Sequence, residues 1–174
     1  KDDAIFIAID EEEIDESYFL SRCPKFAKGD ENNELFSLEE TEEDDDKEED
    51  NNPTNIIKKC TEQIEFNPRD YSPYLERART KKSLKDYNGA INDFKKAVQL
   101  NKSIAEYSYR ELGELQVKIG DTKKAINSFS KGIKLNANNL IYYCRRGYTR
   151  YTIGEHNEAI EDCKKAISIN KAYA

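Results

Sequence analysis

Three stretches of this chain copy one another at a fixed spacing, and no other feature limits the fold as much. Tyr74, Tyr109 and Tyr143 stand 35 and 34 residues apart, and Ala90, Ala125 and Ala159 keep the same intervals. Each alanine is followed by an isoleucine (Ile91, Ile126, Ile160), then by Phe94, Phe129 or Cys163, then by Ala97, Gly132 or Ala166. Leu100, Leu135 and Ile169 close the units. The one extra residue falls between Leu100 and Tyr109, in a linker, where an insertion costs little. A period of this length belongs to repeat architectures, in which a unit buries its apolar face only against its neighbours.

Within each unit the apolar period is helical. Ile91, Phe94, Ala97 and Val98 share one stripe, as do Ile126, Phe129, Gly132 and Ile133. Lys85-Asp86, Gly120-Asp121 and Gly154-Glu155 break the pattern between stripes, and the two glycines stand where a helix C-terminus calls for a left-handed residue. Each unit is therefore predicted to be two helices joined by a tight turn. Ala78, Gly113 and Gly147 on the first helices, with Ala90, Ala125 and Ala159 on the second, let the pair approach closely, and Phe94, Phe129 and Cys163 pack beside them. A further helix is predicted over about Thr54–Phe66, ending in Asn67-Pro68, with Ile56, Ile57, Cys60 and Ile64 on its apolar face.

These residues resemble the tetratricopeptide repeat, a helix–turn–helix unit of about 34 residues that stacks into a superhelix. The resemblance implies an all-α, right-handed solenoid of helical hairpins. It divides the chain into repeats at 71–105, 106–139 and 140–173, a lead helix at 54–70 read as a half repeat or cap, and a preceding segment at 1–53. The second repeat carries the likeness best, with Tyr109, Leu112, Gly113, Gly120, Ala125, Phe129, Gly132 and Leu135. Arg77 and Arg146 depart from it where the family has Leu, and Lys81 and Arg150 where it favours Tyr. Lys102, Ala137 and Lys171 replace the closing Pro. Ala172-Tyr173-Ala174 reads as the start of another unit, so the array is expected to continue.

In this family the first helices line a concave groove and the second helices form the back. The implied groove residues are Arg79, Lys82, Tyr107, Arg110, Glu111, Lys118, Arg145, Tyr148 and Tyr151, joined by Leu75, Glu76, Glu114, Ile141 and Cys144. Tyr and Arg are enriched at binding hot spots, and this mixture suits an acidic, partly apolar peptide or helix. The carboxylate clamp by which some members hold chaperone C-termini would fall on Leu75, Arg79, Glu111, Ile141 and Arg145. Only Arg145 fits, so that clamp is not expected. The back would carry a lysine ridge of Lys95, Lys96, Lys123, Lys124, Lys131, Lys164 and Lys165, attractive to polyanions.

Charge divides the chain. Residues 1–52 hold 21 Asp/Glu against 5 Lys/Arg, residues 53–174 hold 14 against 23, and the formal net charge of −7 conceals the contrast. The acidic part is densest at Glu39–Asp50, a composition that favours an extended, solvated chain. Three apolar clusters interrupt it (Ile5 to Ile9; Ile14, Tyr18, Phe19 and Leu20; Leu35, Phe36 and Leu38) and read as short docking motifs.

Catalytic chemistry is not indicated. His156 is the one histidine, and the four cysteines (Cys23, Cys60, Cys144, Cys163) form no C-x-x-C pair, so neither metal, cofactor nor enzyme activity is expected. Buried thiols and the lack of an apolar leader or membrane span point to a reducing compartment: the cytoplasm, with nucleus or cilium as alternatives. Nucleic acid is a poorer partner than acidic protein, because stacking platforms are missing and the whole chain is acidic. The family resemblance implies a non-enzymatic scaffold or adaptor in a large multi-subunit intracellular complex, ciliary and cytoskeletal assemblies being among the usual settings of the family. Two alternatives stay open: a regulatory module whose acidic arm competes for the basic surface, and an accessory domain of a larger enzyme or co-chaperone.

Overall fold

The computed structural model describes residues 52–172 of the chain. The acidic segment, its docking clusters, Cys23 and the start of a further unit at Tyr173 lie outside the described residues. Seven α-helices follow one another: α1 (Pro53–Phe66), α2 (Ser72–Ser83), α3 (Tyr87–Leu100), α4 (Ala105–Lys118), α5 (Thr122–Leu135), α6 (Leu140–Thr152) and α7 (His156–Ala172). No strand occurs among the described residues. The helices pack chiefly on their neighbours in sequence, α2 on α3, α4 on α5 and α6 on α7 most extensively, as a solenoid of helical hairpins does.

Local chemistry sets the helix ends. Asn52, Asp86 and Asn139 cap α1, α3 and α6, their side chains accepting from the amides of Thr54 (2.9 Å), Gly89 (2.9 Å) and Ile141 (3.1 Å). The residue inserted between the first two units is taken up by a short 3-10 turn, Lys102–Ile104, ahead of α4. The three turns inside the hairpins are the same Schellman motif. The amides of Asp86, Asp121 and Glu155 reach back to the carbonyls of Lys81 (2.9 Å), Gln116 (2.8 Å) and Arg150 (3.0 Å). The residue before each is left-handed: Lys85 at φ 63°, Gly120 at 79° and Gly154 at 82°. The first turn therefore places a lysine where the other two have glycine.

The small residues are packed as close-approach points. Ala78, Ala90, Ala125 and Ala159 are fully buried, with Phe94 and Phe129 between helices and Cys163 buried beside them. A Cβ on Gly113 would stand 2.3 Å from Cε1 of Phe129, and one on Gly147 would stand 3.1 Å from Cβ of Asp162. Tyr142 is a core residue that bridges two units: its ring lies against Gly132, and its hydroxyl donates to the Glu106 carbonyl. Burial, then the nearby Glu106, pushes that phenol up to about 12.

The arginines that depart from the repeat pattern have internal partners. Arg77 grips Asp93 through Nε (2.9 Å) and Nη2 (2.7 Å), Lys81 adds a third bond to the same carboxylate (2.8 Å), and Arg77 Nη1 donates to Thr61 Oγ1 on α1 (3.0 Å). Two units later Arg146 grips Asp162 (2.9 and 2.6 Å), Arg150 adds a bond (2.8 Å), and Arg146 Nη1 reaches Ser130 Oγ on α5 (2.8 Å). α1 thus meets α2 as α5 meets α6. The middle unit has Leu112, Gln116 and Ser128 at the matching positions, and Ser128 Oγ donates to Gln116 Oε1 (2.7 Å). The polar network alternates along the array, ionic in the outer units and neutral in the middle one.

Candidate partner-binding face

The first helices of successive units, α2, α4 and α6, are joined by polar and aromatic contacts on one face. Tyr107 on α4 lies between two guanidinium groups. Arg79 on α2 donates through Nε to the tyrosine hydroxyl (3.3 Å) and stands 5.1 Å from the ring centroid, and Arg110 stands 5.5 Å from it. Phe94 meets the same ring edge-on at 6.2 Å and holds it in place from the core. Lys82 on α2 binds the Glu111 carboxylate at 2.6 Å, and Arg110 shares it at 3.3 Å. Arg145 on α6 pairs with Glu114 on α4 at 3.5 Å. Four cations and two carboxylates meet here, a balance of two positive charges beside a half-buried aromatic ring.

Two residues expected to face a ligand do not. Glu111 is buried, with only 4% of its surface exposed, because its carboxylate neutralises Lys82 and Arg110 inside the face. Cys144 is likewise buried. Lys118 lies over the Tyr87 ring at 5.7 Å, so it is drawn toward the start of α3 and away from the Tyr107 group. Tyr148 is exposed at 38%, whereas Tyr151 packs edge-on against His156 at 5.5 Å, beside the last hairpin turn. Leu75 and Ile141 are half-buried.

On the second helices Lys95, Lys96, Lys123, Lys124, Lys131, Lys164 and Lys165 are all exposed. Lys124 pairs with Asp121, which holds that carboxyl below its usual range. Lys131 stands 5.5 Å from the Tyr109 ring. Cys60, Cys144 and Cys163 are buried, and burial, then Glu76, pushes the Cys60 thiol up to about 11. Among the described residues no group of three His, Cys, Asp or Glu side chains could hold a metal ion. No helix among them is long and apolar enough to cross a membrane.

The tetratricopeptide-repeat family model matches residues 71–104, 107–139 and 140–173. The chain belongs to the tetratricopeptide-repeat family. Two crystal structures of MamA share 28% sequence identity with it: one superposes with a TM-score of 0.62 over 74% of this chain and 76% of that one, the other with 0.63 over 73% and 69%. The tetratricopeptide-repeat domain of Arabidopsis OM64 shares the fold at 22% identity, with a TM-score of 0.52 over 59% of this chain and 84% of that domain. No curated protein matches the chain by sequence. The arginine pairs that depart from the family pattern were visible as Arg77, Asp93 and Arg146, Asp162 at a common spacing of 16 residues, a signal that apolar periodicity does not contain.

Proposed function

We propose that this tetratricopeptide-repeat array is a protein–protein interaction scaffold that holds an acidic, partly apolar peptide or helix of a partner against α2, α4 and α6. One observation carries the reading: Tyr107, a half-buried aromatic ring flanked by Arg79 and Arg110, sits where two units meet. Tyrosine offers contact area at low entropic cost, and the guanidinium groups beside it recognise carboxylates. Among the described residues Arg79 has Tyr107 as its partner and no carboxylate, which leaves its charge available. The buried Glu111 shapes specificity differently from a contact residue. It neutralises Lys82, so a ligand carboxylate is drawn to the Arg79 end of the face. The same carboxylate stands where a chaperone clamp needs an amide, which argues against that class of partner.

The test is affinity capture with the full chain as bait, comparing the parent with Arg79→Glu and Tyr107→Ala. A partner held on this face is lost from both variants and kept by Lys164→Glu on the opposite helices. Capture that survives both groove variants and fails with Lys164→Glu overturns the assignment.

A further inference from the structure

A cleft lies at the junction between the first two units. It occupies about 310 Å³ between α3, α4 and α5, and its lining includes Lys95, Lys102, Lys124 and Lys131 around Leu112, Gln116 and Ser128. At the outer junctions the corresponding place is taken by a guanidinium and a carboxylate: Arg77 with Asp93, and Arg146 with Asp162. The hydroxyl that receives each arginine from the preceding helix, Thr61 or Ser130, is matched at the middle junction by Lys95. So at one junction in three the fold removes the internal anion, installs Ser128 instead, and surrounds the space with ammonium groups. Among the described residues no carboxylate lines the cleft, and one of its lysines, Lys124, is engaged by Asp121.

We propose that this cleft is an anion site for a compact ligand bearing two or more phosphates. The choice of cation supports phosphate over a run of carboxylates. At the two matching junctions the internal carboxylates, Asp93 and Asp162, are gripped by a planar arginine fork. The cleft has lysines alone, point charges that wrap a tetrahedral anion from several sides. Three positive charges remain after Asp121 is counted, enough to offset most of the charge of a pyrophosphate or tripolyphosphate anion. The floor adds neutral hydrogen-bonding groups in Gln99, Gln116, Asn127 and Ser128. The lysines of this site stand on α3, α5 and the turn before α4, so it does not depend on the peptide-binding reading.

The experiment is calorimetric titration of the full chain with sodium tripolyphosphate at constant ionic strength, with sulfate and a poly-glutamate peptide as comparison ligands. Saturable binding at one site per chain is expected for tripolyphosphate. The double variant Lys95→Gln, Lys131→Gln should weaken it by about tenfold or more, since charge-assisted hydrogen bonds are the strong ones. Ser128→Asp, which restores the carboxylate of the outer units, should abolish it while leaving the helical circular dichroism intact. Lys164→Gln with Lys165→Gln should change nothing. No saturable binding, equal loss in the Lys164 and Lys165 control, or tighter binding of poly-glutamate at the same lysines would each overturn the proposal.

Discussion

Asp162 is the residue whose removal should cost most for its size. Its side chain is 4% exposed and accepts from Arg146 and Arg150, whose side chains are 16% and 20% exposed. Asp162→Ala leaves the largely buried Arg146 guanidinium without its counter-charge, beside an Arg150 that keeps only the more exposed Glu155 at 3.7 Å. Removing one partner of a buried pair costs about 3–5 kcal/mol, and the residual access of Arg150 to water places this case near the lower end, at about 3 kcal/mol. The middle unit supplies the control. Replacing the whole set with its residues (Arg146→Leu, Arg150→Gln, Asp162→Ser) removes the charges together and installs a hydrogen-bonded pair already used at Gln116 and Ser128. Ser130 keeps a partner in that variant, because its hydroxyl also donates to the Ile126 carbonyl at 2.7 Å. The triple variant should therefore lie within about 1 kcal/mol of the parent, far closer than the single one. Urea unfolding followed by far-ultraviolet circular dichroism gives both values, compared at equal slope. A single variant that loses less than about 0.5 kcal/mol, or a triple variant as unstable as the single, refutes the reasoning, because ordinary surface substitutions fall in that range.

Four smaller perturbations follow from the same geometry. Lys85→Gly should stabilise the protein by about 1 kcal/mol, since an exposed non-glycine residue at φ 63° carries a left-handed strain that glycine lacks, read as a rise in the urea midpoint. Gly132→Ala should destabilise by about 1–3 kcal/mol despite alanine's better helix propensity, because the new Cβ would stand 2.1 Å from Cε1 of the buried Tyr142 ring; thermal unfolding measures it. Glu111→Ala should lower stability by about 2 kcal/mol by stranding Lys82 and Arg110, and Glu111→Asp should recover part of it. For Cys60 the folded-state value is raised to about 11, so its burial contributes stability below its ordinary value near 9, and that contribution is lost as pH rises through 11. The melting temperature should fall over that window less steeply in Cys60→Ala than in the parent, and equal slopes would contradict the assignment.

The repeat, its two-helix units and their turns were legible in the sequence because each rests on local chemistry repeated three times. Tyr74, Tyr109 and Tyr143 set the register, the helical stripes set the buried faces, and Gly120 and Gly154 mark turns whose left-handed backbone needs them. The inserted residue before Tyr109 was placed in the linker, and there it forms the 3-10 turn Lys102–Ile104. What the periodicity did not contain was the pairing of side chains across helices. Arg77 looked like a lapse from an apolar position until Asp93 and Thr61 were brought to it by two different helices. Glu111 looked exposed on a first helix, and only the neighbouring unit, by presenting Lys82, made it an internal charge. The cleft at the middle junction likewise has Leu112 and Ser128 where the flanking units have Arg and Asp, a difference that acquires meaning only when the three junctions are superimposed. Helix formation depends on neighbours three and four residues away, which a sequence displays directly. Charge compensation depends on which residues tertiary packing brings within a few ångströms, and in this array the partners that join different helices lie 12 to 31 positions apart.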